Sequence, residues 1–407
     1  MEQTNSALSN VKVADFSWAA AAPITTKNLA DYGATVVRVE SRTHLDSVRI
    51  TGPFPNDKPG LNTSGFYADF NCSKFGMALN LKHAGAADVA RKLIAWSDIV
   101  VESFTPGTMD RWGLAYDDII KFKPDIIMLS SSMQGQTGPY HRYSGYGSQG
   151  AALAGLHHLT GWSDRPPAGP KGAYTDAIAP RYSIVALLAA LDYRERTGEG
   201  QYIDLSQVEA AISGFLGPEI LDFTVNERIA QPKGNRSNSA APHGVFPCRG
   251  EDCWITIAVE NDQHWHALRE IATKQEWSAD PRFATFAGRL AHQDELEEKI
   301  ASWTISKDAF EFMEELQAAG VPSGVVQKAC DLFKDPQLSA RGHFRPLDHV
   351  EMGSLCYNGP AHELSETPAR LRWAAPLLGE HTTYVLKELL NYTDKQVETL
   401  RAQGVLE

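Results

Sequence analysis

The 407-residue chain sets 38 Lys and Arg against 50 Asp and Glu, a formal charge of −12, with 43% hydrophobic and 22% charged residues. That length suits two or more domains with sizeable cores, and the mixture is that of a globular protein. The acidic balance argues against nucleic acid or an anionic membrane surface as the main partner, and an anionic ligand would need a local cationic cluster or helix N-termini.

The first residues, "MEQTNSALSNVKVADF", have no basic stretch followed by an apolar core. No signal peptide is expected, and no apolar run reaches the roughly 18 residues of a membrane span, so a cytoplasmic location is expected. In chain order, Val11–Phe16, Thr35–Glu40, Ile99–Glu102 and Asp125–Ser130 read as buried strands because they are short, apolar and rich in β-branched residues. Helical patterns lie between them: Pro23–Tyr32 with Ile24 and Leu29, and Ala84–Trp96 with Val89, Leu93 and Trp96 on one face. Alternation of this kind predicts an α/β fold with a parallel sheet, a Rossmann-like architecture. Its first turn, "SWAAAAP", carries no dinucleotide fingerprint. The Gly-x-Gly-x-x-Gly match occurs instead at "GYGSQG", Gly145–Gly150, after "QTGPYHRYS", which is not a strand, so a nicotinamide reading is disfavoured.

Further on, "RYSIVALLAALDY" is helical, with Ile184, Leu187, Leu188 and Leu191 on one stripe, and "YIDLS" reads as another strand. The polar, Pro- and Gly-punctuated "NERIAQPKGNRSNSAAPHG" marks a linker, and "CWITIAV" opens a smaller α/β region. These breaks predict a large domain over 1–222 completed by about 350–407, a linker at 223–244, a small domain at 245–330 and a return linker at 331–349. The five cysteines are odd in number and scattered, as suits reduced thiols. Cys248 and Cys253, with His264 and His266, fit zinc spacings poorly, so no metal site is expected.

Asp176 stands where a loop enters the apolar helix, and an acid there is most often a cap. The helix dipole would also keep its carboxylate ionised, as a nucleophile requires. Arg38, Lys74 and Arg111 follow or end successive strands; each is by default a surface charge, but together they suit an anionic nucleotide. No Ser-His-Asp order, nucleophile elbow or Walker loop is present.

Many segments in order resemble one family, the class III CoA transferases, which include formyl-CoA transferase, carnitine CoA-transferase and α-methylacyl-CoA racemase. They are "LADYGATVVRVES", "NCSKFGMALNLK", "DIVVESFTPGTMDRWGL", "GQTGPY", "LLAALDYRERTGEGQYIDLS", "APHGVFPC", "AAGVPSGVV" and "APLLGEHT". The resemblance implies a large Rossmann-like domain built from both chain ends, a smaller domain and an interlocked dimer. It implies that Asp176 is the acyl-bearing nucleophile, that an acyl-CoA thioester is co-substrate with no permanently bound cofactor, and that a carboxylic acid is the second substrate. The CoA contacts carry over to Arg38, Asn71, Lys74, Phe104 and Arg111.

The chain also departs from the family. Ser103 stands in place of an amide that contacts CoA, and Phe75 in place of an arginine. The glycine-rich loop of formyl-CoA transferase is missing, which disfavours oxalate and formate. Tyr146 occupies the position of the racemase histidine, and a phenol is a poor proton shuttle at neutral pH. The glycines of "GYGSQG" are then expected to serve loop geometry and packing near the acyl site. Transfer through an aspartyl intermediate is the leading expectation, with succinyl-CoA or a substituted succinate as substrate. Racemisation or isomerisation of a CoA thioester, and a subunit of a heteromeric transferase, are the alternatives; the partner chain is identical or similar. Arg181, five residues after Asp176, is a candidate to hold a distal carboxylate, with Trp162 and Tyr146 near it; a surface salt bridge is the plainer reading.

Overall fold

The structure is a computed structural model and describes residues 6–407. Six parallel strands form its main sheet: β1 (Lys12–Asp15), β2 (Thr35–Glu40), β3 (Phe75–Ala78), β4 (Ile99–Glu102), β5 (Ile127–Ser132) and β6 (Gln201–Ser206). Their order is β3-β2-β1-β4-β5-β6, so the expected α/β architecture is observed. Val13 on β1 pairs with Val36 on β2 and with Ile99 on β4, and the connections diverge between β1 and β4. Ligands bind outside the carboxyl ends of parallel strands at such a switch point.

Near-continuous burial from β1 to β5 follows from helices on both faces. One face packs Val37, Met77, Val100 and Met128 against helix Ala86–Trp96 and the C-terminal Val385, Leu386 and Val397. The other packs Val13, Val36, Ile127 and Leu129 against helices Ala21–Asp31 and Tyr174–Thr197. Strand β3 was not anticipated, since "NCSKFG" reads as a polar loop. Four residues containing a glycine carry little strand signal. Gly76 is needed there because a Cβ would come within 3.0 Å of Pro376. The C-terminal segment covers this sheet edge, with His381 N–H donating to Gly76 O at 2.8 Å.

The chain divides into two compact units. Among the described residues, the first takes in 6–157, 169–229 and 338–407 and also holds the hairpin of β10 (Phe344–His349) and β11 (Gly353–Asn358); the second takes in 158–168 and 230–337. In the second unit, β7 (His243–Pro247), β8 (Trp254–Ala258) and β9 (Ser323–Val325) form an antiparallel sheet. Ile255 and Ile257 of β8 point inward while Trp254 and Thr256 point out, the alternation of a one-sided sheet. In its core Trp303 meets Trp277 and Phe312 edge to ring, and Trp265 lies tilted against Trp277. Cys248 and Cys253 close the β7–β8 turn through a backbone hydrogen bond of 2.7 Å.

Fully enclosed charges lie at the carboxyl ends of β1 and β2. Arg49 meets both oxygens of Glu40 at 2.8 Å, and Tyr67 O–H donates to the same carboxylate at 2.7 Å. Burial pushes the Glu40 carboxyl up, but Arg38, Arg49 and the Tyr67 hydroxyl outweigh it and hold it at about 2. A depressed carboxyl stabilises the fold above its unfolded value, and that contribution is lost as the pH falls towards about 2. Replacing Arg49 with Met leaves Glu40 buried without its bidentate partner. A loss of about 3–5 kcal/mol is expected, read from the urea midpoint, with Arg49→Met/Glu40→Gln recovering part of it.

Candidate active site

The loops that follow β1 and β4 meet at the switch point. Ser103 Oγ accepts from Trp18 N–H at 2.8 Å and donates to Trp18 O at 3.1 Å, which stitches the two loops together. Phe104 N–H donates to the buried Glu102 carboxylate at 2.7 Å. Burial raises the Glu102 carboxyl to about 7 against the pull of the Ser130 hydroxyl and this N–H. Beyond Trp18, Ala19 adopts a left-handed backbone (φ 60°), costly for a residue with a Cβ. The Asp46 carboxylate holds it there by accepting Ala19 N–H at 3.1 Å, and Asp46 is in turn bonded by Arg38.

These loops line a cavity of 110 Å³. Trp18, Ala20, Ala21, Ser103, Phe104, Ser131, His141, Tyr146, Asp176 and Gln207 are among its walls. Asp176 is the third residue of helix Tyr174–Thr197 and is only partly exposed. It does not cap that helix: the N-cap is Ala173, and no side chain bonds there. Pro180, four residues on, has no N–H to return to the Asp176 carbonyl, which loosens the turn bearing the carboxylate. The carboxylate accepts the backbone N–H of Gly147 instead. Burial pushes this carboxyl up to about 6 and outweighs the Gly147 N–H, which favours ionisation. Asp176 is therefore mostly ionised at neutral pH but more basic than an ordinary aspartate.

This contact accounts for "GYGSQG". Gly147 opens helix Gly147–Leu153, and a Cβ on it would lie 2.6 Å from Asp176 Oδ2 and 2.8 Å from the Ala173 Cβ. Gly150 faces Met133 and Thr175, where a Cβ would lie 2.8 Å from each side chain. The glycines let this helix approach the carboxylate.

A second cavity, of 300 Å³, adjoins the first across Trp18 and Phe104, which lie edge to ring at 5.8 Å. Phe16, Leu79, Trp112, Lys82 and Arg111 help to line it. Arg111 is exposed and donates to Thr108 Oγ1 at 2.8 Å.

The residues expected at CoA thus fall into two groups. Ser103, Phe104 and Arg111 line cavities. Arg38, Asn71 and Lys74 are each 0% exposed and lie beneath the site. Lys74 Nζ donates to Asp15 at 3.1 Å, to Asn71 Oδ1 at 2.9 Å and to Pro23 O at 2.9 Å. Burial pushes Asp15 up, but Lys74, Arg38 and the hydroxyls of Ser17 and Thr26 hold it below the usual carboxylate range. Phe75 packs among Trp373, His381 and Tyr384, so it joins β3 to the C-terminal segment. Tyr146 is 61% exposed at the cavity rim. Arg181 does not share the Asp176 cavity. Five residues turn a helix by about 140°, and Arg181 lines a separate cavity with Lys27, Asp31 and Phe70. Trp162 belongs to the second unit, where it packs on Gly234. Trp18, Ser131, His141 and Gln207 were not singled out from the sequence.

The site is a carboxylate-bearing cavity at the switch point of a doubly wound sheet. The family model described as "CoA-transferase family III" matches residues 8–382, so the chain belongs to that family and is a CoA-transferase. It is 29% identical over 399 residues to the succinyl-CoA–D-citramalate CoA-transferase of Chloroflexus aurantiacus, covering 98% of both chains. It is 32% identical over 405 residues to the succinyl-CoA–L-malate CoA-transferase beta subunit of the same organism, again covering 98% of both. In fold it is similar to the crystal structure of a CaiB/BaiF family protein from Brucella suis, with a TM-score of 0.86 and 28% identity, covering 95% of this chain and all of that one.

The Gly147 contact is testable. Gly147→Ala forces the carboxylate aside, and misplacement on the scale of 1 Å costs about 100-fold in rate. A drop of that order in CoA-transferase turnover, with the far-ultraviolet circular dichroism unchanged, is the expected result.

Proposed function

We propose that the enzyme moves CoA between a succinyl-type thioester and a dicarboxylic acid through an acyl group on Asp176. The observation that carries this reading is a partly buried carboxylate that is free of any capping role, rests on one backbone N–H and faces a cavity at the switch point. The names of the relatives, succinyl-CoA transferases to citramalate and malate, support the substrate class.

In the proposed sequence an Asp176 oxygen attacks the thioester carbonyl, the C–S bond breaks and CoA leaves as thiolate. The thiolate then attacks the Asp176 carbonyl of the mixed anhydride. This releases the first acid as its carboxylate and leaves an aspartyl-CoA thioester. The acceptor carboxylate attacks that carbonyl and expels the thiolate. Attack of the thiolate on the acceptor's acyl carbon then gives the new thioester and restores Asp176. No proton is gained or lost overall, and each step exchanges one acyl bond for another. The second cavity suits the CoA carrier: Phe16, Leu79 and Trp112 offer apolar contact, while Lys82 and Arg111 offer cations for phosphates. Arg38, Asn71 and Lys74 act in this reading as the support that fixes the loops.

Apolar side chains on two helices support an assembly of two such chains. Val185 is 69% exposed on helix Tyr174–Thr197, and Leu221 and Val225 are 65% and 77% exposed on helix Gly217–Asn226. The partner is a second copy or a similar chain. Light scattering of the purified chain at about twice its mass, together with activity, is expected for a homodimer.

Incubation with succinyl-CoA followed by borohydride, which reduces an aspartyl-CoA thioester to an alcohol, is expected to mark Asp176 in peptide mass spectra. Asp176→Asn is expected to abolish both the mark and transfer. Isomerisation would appear instead as deuterium entering the acyl α-carbon without a mark, and would sink the transfer reading. The nucleophile must be ionised, so kcat/KM for the thioester is expected to be flat above about pH 6 and to fall tenfold per unit below it. A profile unbroken down to pH 4.5 would exclude Asp176 as the titrating group.

A further inference from the structure

The wall of the Asp176 cavity contains a hydroxyl with nothing to bond. Ile127 and Leu129 on β5 face the helices Ala21–Asp31 and Tyr174–Thr197. Side chains alternate along a strand, so Ser131 stands on that same face, towards the helix that bears Asp176. Ser131 is 1% exposed, and its Oγ has no hydrogen-bond partner among the described residues. Buried hydroxyls are nearly always satisfied, so one left open at a cavity wall suits a ligand oxygen.

Helix Ala21–Asp31 begins at the same cavity, which Ala20 and Ala21 help to line. Its N-cap, Ala20, provides no side-chain cap, and Pro23 has no N–H, so the amides at its start are free to meet an oxygen anion. No Lys or Arg lines this cavity among the described residues. A carboxylate entering it meets hydroxyls, backbone amides and the His141 imidazole, whose Nδ1 is already turned to the Gly138 carbonyl at 2.7 Å.

We propose that Ser131, with the first amides of helix Ala21–Asp31, binds the distal carboxylate of the acceptor dicarboxylic acid and makes Ser131 a specificity residue. The proposal rests on the transferase reading above. It assigns to Ser131 and backbone amides the role that the sequence suggested for Arg181. A site with a buried donor waiting for a substrate oxygen discriminates strongly against an analogue that lacks it, because the donor is then left unpaired.

The test uses the full-length enzyme with succinyl-CoA as donor and either glutarate or butyrate as acceptor. Unmodified enzyme is expected to prefer glutarate by at least tenfold in kcat/KM; a smaller preference would overturn the proposal without any variant. Ser131→Ala is expected to raise KM for glutarate roughly 10- to 100-fold with kcat little changed and the butyrate kinetics unaltered. Ser131→Thr, which keeps the hydroxyl, is expected to restore most of the glutarate affinity. Equal losses with both acceptors, or no change with either, would overturn the assignment. Borohydride marking of Asp176 separates the two levels. An enzyme that is marked but not selective loses only this assignment. An enzyme that neither transfers nor takes the mark loses the transferase reading and this assignment with it.

Discussion

The structure depends on a layer of charge sealed beneath the carboxyl ends of β1 and β2. Asp15, Arg38, Glu40, Asp46, Arg49 and Lys74 are all 3% exposed or less, and each finds an opposite charge within that layer. Removing one member would leave another uncompensated in a poor solvent for ions, so the layer is locked as a set. Many nucleotide-binding α/β proteins turn at this point on glycines, which gain close approach from small size. This chain turns on "SWAAAAP", where backbone freedom is low, and its turn is held by ionic contacts instead.

The link from that layer to the cavity is short. Arg38 holds Asp46, and Asp46 holds the strained Ala19 amide. Ala19 sets the direction of Ala20 and Ala21, which form part of the cavity wall. From the other side, Ser103 ties Trp18 to the loop after β4. A strained backbone persists only where its surroundings over-determine it, and here two independent anchors do so. The same economy appears at Asp176, whose helix is loosened by Pro180 and whose carboxylate is placed by a neighbouring helix that can approach only because residue 147 is glycine.

Local pattern carried much of this into the sequence. The apolar, β-branched runs mark β2 and β4 at their observed limits, and the loop-to-helix step points to Asp176. The glycines of "GYGSQG" were legible as packing residues, although which of them faces the carboxylate depends on how two helices meet. Charge was harder to read. Arg38 and Lys74 have the composition of surface residues, and only the strand order shows that Glu40, Asp46 and Asp15 converge on them. Arg181 lines a different cavity from Asp176 for a geometric reason, since proximity in sequence on a helix is not proximity on a face. Ser131 lay beyond the end of the expected strand, and a lone serine carries no sign of being enclosed and unpaired.

The absence of Lys and Arg from the walls of the Asp176 cavity, among the described residues, has a chemical reason in the proposed mechanism. A guanidinium or ammonium within about 4–6 Å would draw the Asp176 carboxyl down and make its oxygen a weaker nucleophile. With burial dominant and a single N–H opposing it, the carboxyl stays near 6, basic enough to attack a thioester yet ionised at neutral pH. A substrate that is itself a dianion must still be attracted. In the proposed binding mode, helix amides and hydroxyls do this with partial charges whose influence fades within a turn, so they would hold a carboxylate at the far end of the substrate without quenching Asp176. Cations line the adjoining cavity, where Lys82 and Arg111 lie across the Trp18–Phe104 pair from Asp176. In the proposed mechanism, separating full charges from Asp176 in this way would let one enzyme bind two anionic substrates and keep an anionic nucleophile reactive.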